Sequence, residues 1–171
     1  MRAILMAALL LLIPSCSSST TTSPSSGGDA GGSTSTESPL AGKKLVEIYD
    51  PKEGATNVDV LTTIKAKSPY AIGAPFTEGG RRFQLELVSF TVEQSDTHAN
   101  IPGKGAVSTT DSTQLMYGYS SDPLPSQVPV TATVVVRATE FQVDHFAQAT
   151  ALDGTPLTTT ATVHFTSGLR P

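Results

Sequence analysis

From Lys43 onward, apolar and polar residues alternate along the chain in short runs that are separated by turn residues. A period of two is typical of β-strands that bury one face, and no run shows the 3.6-residue period of an amphipathic helix. Seven runs carry the pattern, at residues 45–49, 55–60, 62–67, 82–92, 113–119, 130–143 and 160–166. Seven short strands with turns at intervals of roughly 10 residues predict an all-β fold, a sandwich of about seven antiparallel strands.

The longest of the early runs, residues 82–92, changes parity partway along. Its first apolar positions share one parity and its last two share the other: Phe83, Leu85 and Leu87, then Phe90 and Val92. The change near Val88 predicts a β-bulge, or a strand that is buried on both faces. Gly79-Gly80 is expected to form the turn that leads into this strand. Residues 93–113 are polar and rich in turn formers, so we expect a long loop or hairpin tip there.

Residues 17–42 consist almost wholly of Ser, Thr, Gly and Pro, with Leu40 as the one large aliphatic residue. Such a segment buries too little apolar surface to offset its ordering entropy, so it is predicted to be a disordered tether. The predicted organisation is therefore a signal peptide over residues 1–15, a modified cysteine and linker over residues 16–42, and a sandwich over residues 43–168.

The chain begins with Arg2 and an uncharged apolar run from Ala3 to Ile13. Eleven residues are too few to span a bilayer as a helix, which takes about 20, but they suit the hydrophobic region of a signal peptide. Cys16 follows directly, preceded by an aliphatic residue at −3 and by Ser15 at −1. An ordinary secretory signal with an incidental cysteine is the alternative interpretation.

This arrangement resembles a bacterial lipoprotein signal, although proline at −2 is not that pattern's commoner residue. The resemblance implies that Cys16 becomes the acylated first residue of the mature protein. Two or three acyl chains on one cysteine give stable anchoring. In Gram-negative bacteria, a serine rather than an aspartate at position 17 favours the outer membrane, so lipid-anchored localisation in the cell envelope is predicted, with the outer membrane favoured.

Charge and cysteine content exclude several classes of function. Without residues 1–15 and their single arginine, 10 of the 11 basic residues remain against 15 acidic ones, a net charge of −5. Mild acidity without a basic block argues against nucleic acid as a partner. Cys16 is the only cysteine, so the chain has no internal disulfide and no thiolate metal site.

Candidate chemistry is sparse, and no catalytic residue and no cofactor are predicted. The candidates for metal ligands are His98 with Asp96 and His145 with Asp144. They are weak candidates, because zinc needs three or four converging ligands and calcium needs six to eight oxygens. His164 has outward parity in the last strand and is expected to be exposed. Three tyrosines could form a sugar-stacking platform, Tyr70, Tyr117 and Tyr119. Tyr117 and Tyr119 lie on one face of the same predicted strand, for which core packing is the commoner role.

Landmarks at both ends of the predicted sandwich resemble the bacterial immunoglobulin-like (Ig-like) domain of S-layer and other cell-surface proteins. The opening turn Pro51-Lys52-Glu53-Gly54-Ala55-Thr56-Asn57-Val58, the strand Thr62-Thr63-Ile64 and the closing Asp153-Gly154-Thr155-Pro156-Leu157 carry it, together with Phe165-Thr166-Ser167-Gly168. The resemblance covers about residues 44–168 and implies an Ig-like β-sandwich in a surface setting, but no activity.

A similar opening turn occurs in periplasmic copper-binding proteins, which place an Asp-x-His pair before the last strand. Here Asp96-Thr97-His98 lies in the middle of the chain instead. The function predicted from the sequence is therefore a membrane-anchored envelope lipoprotein whose Ig-like domain is a structural or protein-interaction module and not an enzyme. The membrane and an unidentified envelope or surface protein are the predicted partners. The alternatives are a carbohydrate-binding module and, less favoured, a periplasmic copper-binding protein.

Overall fold

The structure, a computed structural model, describes residues 37–119, 123–142, 145–151 and 153–169. Contacts divide the chain into Met1–Thr34 and Ser35–Pro171, and every described residue belongs to the second unit. Its described part contains nine strands: β1 (Glu47–Asp50), β2 (Ile64–Lys67), β3 (Pro75–Glu78), β4 (Arg81–Gln94), β5 (Gly103–Val107), β6 (Gln114–Tyr119), β7 (Pro129–Gln142), β8 (His145–Gln148) and β9 (Thr158–Thr166).

The strands form two antiparallel sheets, which confirms the all-β sandwich. One sheet has the order β1-β2-β6-β5, and the other has the order β3-β4-β7 with β8 and β9 sharing the far edge of β7. Lettering β1, β2, β4, β5, β6, β7 and β9 as A to G gives the sheets ABED and CFG. That is the strand order of a constant-type immunoglobulin sandwich. The short strands β3 and β8 extend the CFG sheet.

Six of the seven predicted strands correspond to strands of the structure, and one does not. Residues 55–60 form no strand, because Val58 makes only an isolated parallel bridge to Ser167. Strand β5 lies within residues 93–113, where a loop or hairpin tip was expected. It is strand D of the sandwich, which the sequence pattern did not predict. The short strands β3 and β8 were also not predicted.

The predicted bulge in β4 is confirmed. The register of β4 against β7 shifts between Leu87 and Ser89, and the extra residue, Val88, is half exposed at 50%. Beyond it, Phe90 and Val92 are again buried. One inserted residue therefore restores the apolar face of the strand to the core, as a bulge does.

The core lies between the inner faces of the two sheets. Strand β7 alternates as predicted, with every second residue from Val130 to Ala138 buried. It packs with aromatic and aliphatic residues of β4 and β6, among them Phe83, Leu85, Leu115 and Tyr117. Each fully buried large side chain contributes roughly 1.5–3 kcal/mol of transfer free energy.

Strand β5 has no room for a side chain at two positions of its inner face, Gly103 and Gly105. A Cβ placed on Gly105 would lie 2.1 Å from the Cβ of Phe90, and one on Gly103 would lie 2.4 Å from the Tyr117 ring. Glycine is therefore required at both positions, since real Cβ atoms do not approach other atoms so closely.

The sandwich has two distinguishable ends, because β4 and β7 run side by side along its length. Phe83 pairs with Glu140 at one end, here called the proximal end, and Gln94 pairs with Val130 at the other, the distal end. At about 3.3 Å per residue, these ends are roughly 35 Å apart.

Candidate functional site

The chain enters the sandwich at the proximal end through residues 37–43, here called the leading segment. Its backbone makes two turns, in which Ala41 N donates to Ser38 O at 2.9 Å and Lys43 N to Leu40 O at 3.0 Å. Leu40 is fully buried within the core cluster. The sequence pattern assigns Leu40 to the linker, whereas in the structure Ser38 and Leu40 are both buried.

The leading segment lies against the hairpin formed by β3 and β4. The two-residue loop of this hairpin is Gly79-Gly80, with φ of 56° and 75°, the positive values that a type I′ turn requires. This confirms the predicted turn. A Cβ on Gly79 would lie 2.7 Å from the Cβ of Pro39. The glycine therefore serves both the turn and the close approach of the leading segment.

Charged groups hold both ends of the leading segment. Arg81 Nη1 donates to the backbone oxygen of Glu37 at 3.1 Å, and its guanidinium pairs with Glu140 through two hydrogen bonds. At the other end, Lys43 pairs with Glu78, which also accepts a 2.8 Å hydrogen bond from the Tyr70 hydroxyl.

The pKa values reflect these pairings. The Lys43 ammonium donates to Glu78 and lowers the pKa of that carboxyl group, and Tyr70 contributes in the same direction. The carboxylate of Glu140 raises the pKa of Arg81 through its hydrogen bonds. Hydrogen bonding that favours the charged forms is the mechanism in both cases. These groups are therefore held charged as structural partners around the leading segment.

An aromatic patch lies at the same end, on the outer face of the CFG sheet. Phe141 and Phe146 are cross-strand neighbours on β7 and β8, with ring centroids 5.1 Å apart. The guanidinium of Arg82 lies 4.7 Å from the Phe141 centroid, within cation–π range. Phe146 is 67% exposed. We call Arg82, Phe141 and Phe146 the aromatic patch.

A shallow pocket of about 210 Å³ adjoins the patch. Phe146 forms one wall, and the others come from Gly73, Gln84, Leu85, Glu86 and Thr139. Its volume is below the roughly 300–1,000 Å³ of sites for drug-sized ligands. The patch is thus an exposed apolar surface with polar neighbours, not an enclosed binding site.

A larger open cleft of about 420 Å³ lies beside β1, lined by Lys44, Val46, Glu47, Lys67, Ser68 and Pro69. Glu47 lies between two lysines, 3.3 Å from Lys44 Nζ and 3.0 Å from Lys67 Nζ. Hydrogen bonds from Lys67 and then Lys44 lower the pKa of Glu47. The one carboxylate of the cleft is therefore charged and already paired with two lysines.

The weak metal candidates do not converge. His98 Nδ1 lies 3.3 Å from a carboxylate oxygen of Glu93 at the distal end, while the backbone of His145 pairs with Gln142 beyond the proximal end. Asp96 is exposed near His98. Asp144 and the side chain of His145 lie outside the described residues, as does Cys16. Within the described residues, no three His, Cys, Asp or Glu side chains are grouped to hold a metal ion.

The other predicted positions are accounted for individually. His164 is exposed as predicted, and Glu53 receives its backbone N–H at 2.8 Å and contacts its ring at 3.1 Å. That backbone hydrogen bond is the main cause of the lowered pKa of Glu53. In the turn Asp153-Gly154, the Asp153 carboxylate caps Thr155 and Gly154 has φ of 81°.

The three tyrosines do not form a platform for sugars. Tyr117 is buried and donates its hydroxyl to the Ile101 carbonyl oxygen. Burial raises the pKa of Tyr119, whose hydroxyl donates to Thr62 O at 3.1 Å. Tyr70 stacks on Phe76 at 4.0 Å. Packing accounts for all three rings.

The aromatic patch and the anchored leading segment were not identified from the sequence. One signal was present: Phe141 has the outward parity of β7, opposite to Val130 through Ala138. An aromatic ring at an outward position is a reason to look for a contact. Phe146 and Leu40 carry no such signal, because their positions depend on contacts with distant residues.

The chain matches no protein-family model and no curated protein sequence. Among the residues that the structure describes, no helix is long and apolar enough to cross a membrane. The assignment of function therefore depends on the sequence signal and the geometry of the sandwich.

Proposed function

We propose that this protein is a lipid-anchored bacterial envelope protein whose Ig-like sandwich is a non-enzymatic structural and protein-interaction module. The lipid is attached to Cys16, and residues 17–36 connect it to the folded unit. The outer membrane is the favoured location, given Ser17. An unidentified envelope or surface protein is the proposed partner.

The docked leading segment is the observation that carries this proposal. Leu40 is fully buried and the segment is held at both ends, by Arg81 at Glu37 and by Glu78 at Lys43. A force on the lipid anchor would therefore act on a packed segment rather than on a loose chain end. Such a connection suits a domain that has to stay in place at a surface.

A partner has two kinds of surface available. The distal end exposes Leu61 and Leu169, and the two sheets present outer faces of mixed polarity. Loops at one end of a rigid sandwich commonly carry recognition. The distal end therefore supports the interaction role, because it lies opposite to the end where the chain enters.

The carbohydrate alternative loses its tyrosine platform, since Tyr117 is buried and Tyr70 is stacked on Phe76. The copper alternative has His98 paired with Glu93 and distant from His145. Neither is favoured by an observation in the described part of the chain.

Fractionation of bacteria that express the full chain tests the anchoring. The unchanged chain should be recovered in the membrane fraction and Cys16→Ala in the soluble fraction, because Cys16 is the only cysteine and hence the only residue for a thioether-linked lipid. A Ser17→Ala variant, which keeps the cysteine, is the matched control. Membrane recovery of Cys16→Ala would contradict the proposal.

Crosslinking on intact cells tests the interaction role. Photo-crosslinking groups placed at position 61 and, for comparison, at Thr133 on the outer face of the CFG sheet should give a discrete adduct only at position 61. Equal labelling at both positions would mean that the distal end is not a specific docking surface.

A further inference from the structure

We infer that the aromatic patch is a membrane-contact surface, which docks onto the lipid bilayer to which the chain is anchored. This inference rests on the proposed lipid at Cys16. It assigns a ligand, a lipid surface, to Arg82, Phe141 and Phe146, and it gives the sandwich a fixed orientation with its proximal end toward the bilayer.

The first argument is where the chain emerges. Glu37, the first described residue, contacts Arg81 through its backbone oxygen, and Arg82 is the next residue of β4. Phe141 lies on the adjacent strand and Phe146 on the strand after that. At about 4.8 Å between strands, the backbone at Phe146 is roughly 10 Å from β4. The patch and the point of attachment therefore share one end of the sandwich.

The second argument is the length of chain between Cys16 and Glu37. A flexible Gly/Ser-type coil as long as these 20 residues would have a root-mean-square span of roughly 25 Å. That span is shorter than the roughly 35 Å length of the sandwich. The lipid anchor would hold the proximal end near the bilayer, and the short tether would give the patch a high effective concentration at the surface.

The third argument is chemical. Phe146 is 67% exposed although its side chain is fully apolar, and its ring contacts a second phenylalanine at a tilt of 32° instead of packing into the core. Segments that lie in the membrane–water interface combine apolar side chains such as phenylalanine with basic residues, and arginine extends its charge toward the headgroups while its stem lies along apolar surface. Among the described residues, Arg82 forms no ion pair, and its guanidinium lies over the Phe141 ring. Two aromatic rings beside such a cation match this interface better than they match bulk water.

The chain offers a direct test because it has no tryptophan. Phe146→Trp places a single fluorescent reporter in the patch, and Leu61→Trp places one at the distal end. The two sites are matched, since both side chains are 67% exposed. The chain from Cys16 to the C-terminus is coupled through that sole thiol to a maleimide-headgroup lipid in phosphatidylcholine vesicles, with or without brominated acyl chains.

We expect brominated lipid to quench the emission of Phe146→Trp at least twofold and its emission maximum to shift to the blue, while Leu61→Trp is unchanged. Blocking Cys16 with a small maleimide should abolish both effects. Equal quenching of the two reporters, or none at position 146, would overturn the inference. Equal urea midpoints for the two variants and the unchanged chain would show that folding is intact.

The coupling places a lipid on Cys16 whether or not bacteria do so. Failure of the quenching experiment would thus reject the docking of the patch and leave the anchoring proposal standing. Soluble cell-wall oligosaccharides, added without vesicles, test the other ligand class. If they shifted the emission maximum of Phe146→Trp to the blue, and brominated vesicles did not quench that emission, the patch would be a glycan site and the membrane inference would be overturned.

Discussion

Leu40→Ala tests whether the leading segment is part of the folded domain. Leu40 is fully buried in the core cluster, and truncation of a buried leucine to alanine costs about 2–5 kcal/mol, from lost transfer free energy and the remaining cavity. We expect a loss of about 3 kcal/mol in the free energy of unfolding. With a urea m-value of roughly 2 kcal/mol/M, the unfolding midpoint should fall by about 1.5 M.

The assay is urea unfolding of the chain from Cys16 to the C-terminus, followed by far-ultraviolet circular dichroism. Leu61→Ala is the matched control, because Leu61 is 67% exposed and surface substitutions usually change stability by less than about 0.5 kcal/mol. If Leu40→Ala and Leu61→Ala had the same midpoint, residues 37–42 would belong to the linker, as the sequence pattern predicts, and the docked segment would not exist in solution.

Three further predictions test the geometry around the site. Gly105→Ala should lower the free energy of unfolding in urea by about 1–3 kcal/mol, because the new Cβ would overlap Phe90. Gly118→Ala on the neighbouring strand has open space around it and should be neutral or slightly stabilising. Equal effects of the two substitutions would contradict the close approach of β5 to β4. Gly79→Ala should lower the free energy of unfolding more than Gly80→Ala, since both positions have positive φ but only Gly79 faces Pro39. This difference between the two substitutions should vanish in a Pro39→Gly background, and its persistence there would refute the contact. Because the pKa of Glu78 is lowered from its ordinary 4.5, its pairing with Lys43 stabilises the fold above that pH, and the contribution is lost as pH falls through the folded-state pKa. Glu78→Gln should flatten the loss of thermal stability as pH falls below 4.5, and an unchanged pH profile would argue against the Lys43–Glu78 pairing.

The sequence pattern predicted the strands that alternate cleanly and have large apolar residues, above all β7 and β9. It also located the bulge at Val88, since a change of parity is visible without knowledge of the partner strand. These features are encoded locally, because burial on one face of a strand directly sets which residues are apolar.

Strand β5 could not be predicted in the same way. Its Gly-Lys-Gly-Ala-Val sequence has glycine where an apolar residue would be expected, because Phe90 and the Tyr117 ring occupy the space. Residues 55–60 have the apolar pattern of a strand but no ladder partner beyond the bridge from Val58. In both cases the deciding contact comes from a residue far along the chain.

The candidate site shows the same division. Phe141 was detectable from its outward parity on β7, whereas Phe146 depends on how β8 returns beside it. Leu40 stands alone in a polar segment, and only its contact with the distant core makes it structural.

The mass of the N-terminal tryptic peptide tests the central claim most directly. The first lysine after Cys16 is Lys43, so the full chain, expressed in bacteria and extracted from the membrane fraction, should yield a peptide of residues 16–43 that carries a diacylglyceryl group, with or without a third acyl chain. A peptide that begins at another residue, or one that begins at Cys16 with an unmodified thiol, would contradict the lipid anchor and the account built on it.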